Sequence, residues 1–166
     1  SRYQNAGHLS LVSTDLSICL NDIAKSFRPI LDYLGIEFIT DIPHNLPRLS
    51  LDPLKIRQAF LNLLRNAQES ISHSHGVIRF HAEATTEDVH IIVCDNGCGM
   101  TSSQKTRAFE PFITYKSGGT GLGLAVTRQI IEAHHGSIQI ESTPETGSTF
   151  HIYIPLVQPV NNSHKI

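Results

Sequence analysis

No apolar run in this 166-residue chain approaches the roughly 20 residues that a helix needs to cross a bilayer. Nothing in the first ten residues reads as a signal peptide. Basic residues are not in excess: 13 Lys and Arg face 15 Asp and Glu, for a formal net charge of -2. That balance leaves no electrostatic footprint for nucleic acid. The three cysteines, Cys19, Cys94 and Cys98, are odd in number and lack zinc-type spacing, which reads as reduced thiols in a cytosolic protein. The G-x-G-x-x-G of a dinucleotide fold is also absent, and Gly121-Leu122-Gly123 lies past most of the strand-like segments. Histidine is abundant, with ten residues. His73 and His75 flank Ser74 in a loop-like stretch, and His134 and His135 precede Gly136, where a helix should end. No Cys or carboxylate pattern completes either pair into a metal set.

What is present suits one domain with a single core: 40% of the residues are hydrophobic. Ser1 to Ser10 shows no period and is either the frayed end of a preceding helix or a remnant foreign to the domain. Asp15 can cap a helix carrying Leu16, Ile18, Cys19, Leu20, Ile23 and Phe27 at helical spacing. Pro29 predicts a kink or break before the helix resumes and stops at Gly35. Ile36 to Ile42 reads as a strand ended by Pro43, and Pro47 to Leu51 as a short extended piece. Asp52 then caps a second helix with Pro53 at its first position. This helix runs to about Ile71 on an apolar face of Leu54, Ile56, Ala59, Phe60, Leu63, Leu64 and Ala67. Val77 to Ala84 and Val89 to Cys94 read as a hairpin. Thr101 to Phe109 predicts a short helix, 113–119 a mobile loop, and Thr120 to His134 a third main helix. Ser137 to Ser142 and Thr149 to Ile154 are strands around a Pro144-Glu145-Thr146-Gly147 turn. The expected fold class is α/β: a two-layer sandwich in which a mixed β-sheet is packed on one face by three main helices.

Four segments carry the chemistry. In Asn62-Leu63-Leu64-Arg65-Asn66-Ala67, the two asparagines stand four apart, so both amides leave one helix face. Two such oxygens can hold a hydrated Mg²⁺ and its phosphates; the alternative is a solvated face. Asp95-Asn96-Gly97-Cys98-Gly99-Met100 ends a strand. A carboxylate there can accept a hydrogen bond from an exocyclic amine, and Gly97 and Gly99 let the backbone approach a flat ring; the alternative is a plain hairpin turn. Cys94 and Cys98 read as packing residues. Phe109-Glu110-Pro111-Phe112 suits core packing beside a loop. Gly119-Thr120-Gly121-Leu122-Gly123-Leu124 opens a helix, where free N–H groups and the helix dipole favour a triphosphate.

In this order and spacing the four segments resemble the catalytic and ATP-binding domain of bacterial two-component sensor histidine kinases. That domain belongs to the Bergerat-type superfamily that also holds type II topoisomerases, MutL-like ATPases and a heat-shock chaperone class. The resemblance covers residues 11–156 as the catalytic domain, leaving 1–10 outside it and 157–166 as a polar tail. It implies ATP and Mg²⁺ as cofactors, Asn66 as the metal residue, and Asp95 as the partner of the adenine amino group. It further implies nucleotide contacts from Asn62, Gly97, Gly99, Thr120, Gly121, Leu122, Gly123 and Leu124. Thr114, Tyr115 and Lys116 fall in the ATP lid, with Lys116 beside Asn66 as a catalytic candidate. Glu69 stands where many sensor kinases have a phosphate-contacting Lys, so Arg65 or Lys116 would have to compensate.

The hydrolytic relatives carry a Glu four residues before the metal-binding Asn, to activate water. Here that position is Asn62, which suits transfer of the γ-phosphoryl group to a histidine rather than hydrolysis. The His-Glu/Asp-x-Arg-Thr/Asn-Pro acceptor segment is absent, and His8-Leu9-Ser10 does not match it. The chain therefore reads as the catalytic part of a longer kinase, monomeric and unable to phosphorylate itself. Its expected partners are the histidine-bearing dimerisation domain of the parent kinase and a response regulator receiver domain. No nucleic acid and no direct membrane contact are expected. The expected location is cytoplasmic, with a parent that could be membrane-anchored. The alternatives are an anti-sigma-factor type serine kinase, or a non-catalytic nucleotide-binding module.

Overall fold

A computed structural model of the chain describes residues 8–112 and 123–157. Strand β1 (Val12–Asp15) leads into helix α1 (Leu16–Leu34). The Asp15 carboxylate accepts the Ile18 N–H at 3.1 Å, so the expected cap is in place. At the other end Gly35 takes φ +70°, the Gly35 N–H reaches the Asp32 carbonyl at 3.1 Å, and the Ile36 N–H reaches Leu31 at 2.9 Å. That pair of bonds is a Schellman motif. Contrary to expectation, α1 does not break at Pro29. Pro29 and Lys25 both lie on the solvent side, where water can hydrate the Lys25 carbonyl that the ring leaves without its donor.

Strand β2 (Glu37–Asp41) and strand β3 (Arg48–Leu51) precede helix α2 (Pro53–Glu69). Ile56, Ala59, Phe60, Leu63, Leu64 and Ala67 are buried, but Leu54 is 78% exposed. At 100° per residue Leu54 sits 200° from Ile56, on the far side of the helix. β1 was not legible as a strand; it pairs antiparallel with β3, from Val12↔Leu51 to Asp15↔Arg48, as a separate two-stranded sheet.

Strands β4 (Val77–Ala84) and β5 (Asp88–Asp95) form the expected hairpin. Helix α3 (Ser102–Arg107) starts at a Thr101–Gln104 capping box. Helix α4 (Gly123–Ala133) is followed by strands β6 (Ser137–Thr143) and β7 (Gly147–Pro155). The main sheet has the order β2-β4-β5-β7-β6; β2 and β4 are parallel and the other pairs antiparallel. Helices α1, α2 and α4 cover one face, and α1 and α4 both pack on α2. The expected two-layer α/β sandwich is what the chain forms.

Register builds the core in rows. Phe80, Val93, Phe150 and Ile140 lie in one row across four strands; Ala82, Ile91, Ile152 and Ile138 form the next. The row at the other flank of Phe80 is Ile78, Asp95, Ser148 and Ser142, so the buried face turns polar there. Phe80 anchors the layers, with Phe60 of α2 at 5.9 Å and Phe38 of β2 at 6.5 Å between ring centroids. The opposite face holds a strip of imidazoles: His90 Nε2 and His151 Nδ1 are 2.9 Å apart, and His90 stacks on Tyr153. On the outer edge the Arg28 guanidinium covers the Phe38 ring at 4.9 Å and donates to the Phe38 carbonyl at 3.0 Å.

Asp52 joins the two ends of the helix layer. Its carboxylate accepts the Lys55 N–H at 3.1 Å and the Ser10 N–H at 2.9 Å, and its own N–H donates to His134 Nε2 at 3.1 Å. His134 Nδ1 lies 2.7 Å from the Ile130 carbonyl. One nitrogen must therefore donate and the other accept, which defines a neutral Nδ1–H tautomer. Burial pushes the imidazole below its ordinary 6.5, against the opposing pull of the Ile130 carbonyl and Asp52. The next residue, His135, takes φ +62° at the end of α4 and forms a second Schellman motif with Gly136.

The sign of the linkage follows. Below about pH 6.5 the unfolded chain binds a proton at this site that the folded chain resists, so stability is complete above that pH and declines as pH falls through the folded value. The melting temperature of the wild type is expected to drop on acidification from pH 7 to 5, and a His134→Gln variant to lack that part of the drop. Urea midpoints at each pH would check this. At pH 7 His134→Ala, which leaves the Asp52 N–H and Ile130 carbonyl without this partner, is expected to lose about 1–3 kcal/mol.

Candidate functional site

The site is built where the polar row of the sheet meets the end of α2 and the start of α4. Period-two alternation through Val89, Ile91 and Val93 carries Asp95 to the buried face, where it is 5% exposed. Its Oδ1 accepts the Gly97 N–H at 2.8 Å and lies 3.2 Å from the Ser70 hydroxyl. The loop behind it is pinned on three sides. Cys98 donates its N–H to the Ser70 carbonyl at 2.9 Å, and its own carbonyl accepts from Glu145 at 2.7 Å. Ser142 Oγ accepts the Met100 N–H at 2.8 Å and sits within 3.0 Å of the Gly147 carbonyl.

These contacts give the glycines a structural reason of their own. A Cβ at Gly97 would lie 2.5 Å from Ser70 O, and one at Gly99, where φ is +65°, would lie 2.0 Å from Thr143 O. At Gly147, with φ +131°, it would lie 2.0 Å from Asp95 O. Whatever approach to a flat ring Gly97 and Gly99 allow, both are also required by the chain's own packing around Asp95. Cys98, expected to pack, is a correction: its side chain is exposed, and its backbone makes the contacts. Cys94 is half-buried and accepts a hydrogen bond from the Thr149 hydroxyl at 3.2 Å.

Asn62 and Asn66 stand one turn apart on α2, both half-buried. Arg65 and Glu69 are exposed. The Asn62 side chain reaches the other helix: its Nδ2 donates to the Gly123 carbonyl at 3.3 Å, which the Thr127 hydroxyl also approaches at 2.7 Å. A Cβ added at Gly123 would meet nothing nearer than Asn62 Cγ, at 3.9 Å. Among the described residues, then, Gly123 is exposed and meets no close obstacle of the kind found at Gly97 and Gly99. Leu124 is half-buried against the core. Phe109 packs there also, under the Arg128 guanidinium at 5.2 Å, whereas Phe112 is 75% exposed with φ +66° and takes no part in the core. Thr114, Tyr115, Lys116, Thr120, Gly121 and Leu122 lie outside the described residues.

Other features fall away. His73 and His75 brace a loop, with His73 Nε2 at 2.8 Å from the Asn96 carbonyl and Asn96 Nδ2 donating to His75 O at 2.9 Å. No cluster of three or more His, Cys, Asp or Glu placed to hold a metal exists among the described residues. Nor is any helix among them long and apolar enough to cross a membrane. A hollow of about 470 Å³ under the Asp95 loop is lined in part by Arg79, Cys94, Glu141 and Thr149 and includes none of Asn62, Asn66 or Gly123. Sequence reasoning missed Ser70 and Ser142. Neither stands in a motif: the end of α2 brings Ser70 to Asp95, and strand pairing through Ser148 sets Ser142 in the same row of the sheet.

Fold and site together define a two-layer α/β domain with one open, polar end. A sequence profile described as histidine kinase-, DNA gyrase B- and HSP90-like ATPase matches residues 51–158, and the chain belongs to that family. It is 36% identical over 149 residues to the sensor histidine kinase ZraS of Escherichia coli (strain K12), covering 90% of this chain and 32% of that protein. It is 41% identical over 147 residues to sporulation kinase B of Bacillus subtilis (strain 168), covering 87% and 34%. The chain thus spans about a third of the length of these relatives. The catalytic domain of histidine kinase ThkA superposes with a TM-score of 0.79 at 29% identity, over 89% of this chain and 97% of that one. Full-length ShkA in complex with AMPPNP gives 0.82 at 26%, over 95% and 34%. ThkA in complex with the response regulator TrrA gives 0.75 at 26%, over 89% and 42%.

The two kinds of glycine separate in experiment. Gly99→Ala is expected to lose about 2 kcal/mol or more of stability, from the left-handed backbone and the blocked carbonyl. Gly123→Ala is expected to keep the wild-type melting curve, and to weaken a nucleoside triphosphate more than adenosine. Equal losses for both ligands would assign Gly123 to the fold instead.

Proposed function

We propose that this chain binds ATP with Mg²⁺ between Asp95, the asparagines of α2 and the start of α4, and donates the γ-phosphoryl group to a histidine on the dimerisation domain of its kinase. The phosphoryl group would then pass to an aspartate on a response regulator receiver domain. The observation that carries this is the placement of a buried carboxylate at the sheet end, with Asn66 and Asn62 leading along α2 from it to Gly123 at the start of α4. The AMPPNP bound to ShkA and the response regulator bound to ThkA support the same reading. Catalysis would take place at the cytoplasmic side, and the chain by itself would be monomeric.

Each residue has a distinct task in this scheme. Asp95 accepts a hydrogen bond from the adenine amino group, a bond to a charged acceptor worth about 1.5–3 kcal/mol. Asn66, with its amide oxygen, suits a hard cation that takes oxygen ligands and retains water. Mg²⁺, when bound, neutralises charge on the phosphate oxygens. The first turn of α4 and the preceding Gly119-Thr120-Gly121-Leu122 supply backbone N–H groups to the phosphates; Thr114, Tyr115 and Lys116 would close over them, Lys116 with its charge near the γ-phosphate. In the transfer, an imidazole nitrogen forms a P–N bond as the bond from the γ-phosphorus to the bridging oxygen breaks, and ADP leaves. Asn62 cannot take a proton from water as a Glu could, which disfavours hydrolysis.

Calorimetric titration with AMPPNP tests the binding half. Asp95→Asn is expected to weaken it about tenfold or more, and Asn66→Ala to abolish the tightening by Mg²⁺. If Mg²⁺ tightens the nucleotide equally in Asn66→Ala, the metal assignment is wrong. Radiolabel transfer from γ-labelled ATP to a separately supplied histidine-bearing dimerisation domain tests the catalytic half. Binding without transfer would leave a nucleotide-binding module.

A further inference from the structure

Ser70 lies just past α2 and belongs to none of the four motifs, yet it touches both halves of the site. Its N–H donates to the carbonyls of Asn66 at 3.2 Å and Ala67 at 3.3 Å, closing the turn that bears the proposed metal residue. Its carbonyl holds the Cys98 N–H, and its carbonyl and hydroxyl together fill the space that a Cβ on Gly97 would need. Its hydroxyl lies 2.8 Å from the Ala67 carbonyl and 3.2 Å from Asp95 Oδ1.

A serine hydroxyl has one proton and cannot serve both acceptors at once. The carbonyl is nearer, but the carboxylate is charged and makes the stronger bond. On the Asp95 side the hydroxyl joins the Gly97 N–H, 2.8 Å from the same Oδ1. The terminal torsion of an aspartate is broad when left to itself. Two donors converging on one oxygen, from the end of α2 and from the loop, fix that torsion and hence the direction in which the carboxylate accepts a further bond.

We infer that Ser70 is a positioning residue for purine selection: its hydroxyl sets the rotation of the Asp95 carboxylate, so that the site prefers a purine bearing a 6-amino donor over one without it. This rests on the ATP reading above.

The test uses the full chain, with ATP and its analogue lacking the 6-amino group (purine riboside triphosphate), both with Mg²⁺, in calorimetric titrations. The wild type is expected to prefer ATP by about tenfold or more. Ser70→Ala is expected to weaken ATP by about three- to tenfold and leave the analogue unchanged, so that the preference narrows. Ser70→Gly removes the hydroxyl in a position that ends a helix and leaves more room, so a matching result with an unchanged melting curve separates the effect from misfolding. Equal losses for both nucleotides would make Ser70 merely structural, and no loss for either would remove it from the site; each overturns the inference. Asp95→Asn separates the two levels. If it abolishes the preference while Ser70→Ala and Ser70→Gly keep it, the inference fails and the adenine reading stands. If the wild type shows no preference, both fall.

Discussion

A carboxylate carried to the inner face of a sheet must be compensated by donors, because burial otherwise favours its neutral form. Asp95 is brought inside by the same alternation that buries Val89, Ile91 and Val93. Everything around it is arranged to supply donors and exclude side-chain bulk. The Gly97 N–H and the Ser70 hydroxyl converge on its Oδ1. Three glycines, Gly97, Gly99 and Gly147, remove the side chains that would push the surrounding backbone away. Were the sheet one row shorter, the carboxylate would be lost; were the glycines alanines, the loop would lift off its supports.

The helix layer fixes the other side of the cleft. Helix α2 carries Asn62 and Asn66 in its second half and begins, at Asp52, under the end of α4. His134 therefore ties the far end of α4 to the start of α2, while Asn62 holds its near end through the Gly123 carbonyl. With both ends anchored, α4 is a fixed post.

Much of this could be read in advance, and the misses have physical causes. Local signals were legible because they act within a turn of helix: Asp15 and Asp52 as caps, Gly35 as a stop, and the Thr101 start of α3. The alternation in β4, β5 and β7 was legible for the same reason. Non-local facts were not. The strand character of Val12–Asp15 comes from pairing with Arg48–Leu51, and nothing in four residues announces a partner that far away. The unbroken course of α1 through Pro29 depends on which side of the helix faces water. Leu54 and Phe112 looked apolar enough to bury, but helical phase turns one outward and a left-handed backbone the other. Asp95 and the asparagines stand in motifs that pattern alone can pick out as candidates. The Ser70 hydroxyl beside Asp95 does not, because serine at a helix end is ordinary until the sheet places a carboxylate next to it.

The outer edge of the sheet has a consequence for how copies of this chain behave in company. Because the Glu37 N–H turns inward to the Gly76 carbonyl at 2.9 Å, the groups of Phe38 point outward, and Arg28 occupies that carbonyl. A strand from another molecule seeking to extend the sheet there would have to displace a guanidinium from both a carbonyl and an aromatic ring, and would meet a positive charge in doing so. The short edge strand is thus guarded against edge-to-edge pairing, and crowding in a concentrated solution should not turn this domain into a template for aggregation along β2.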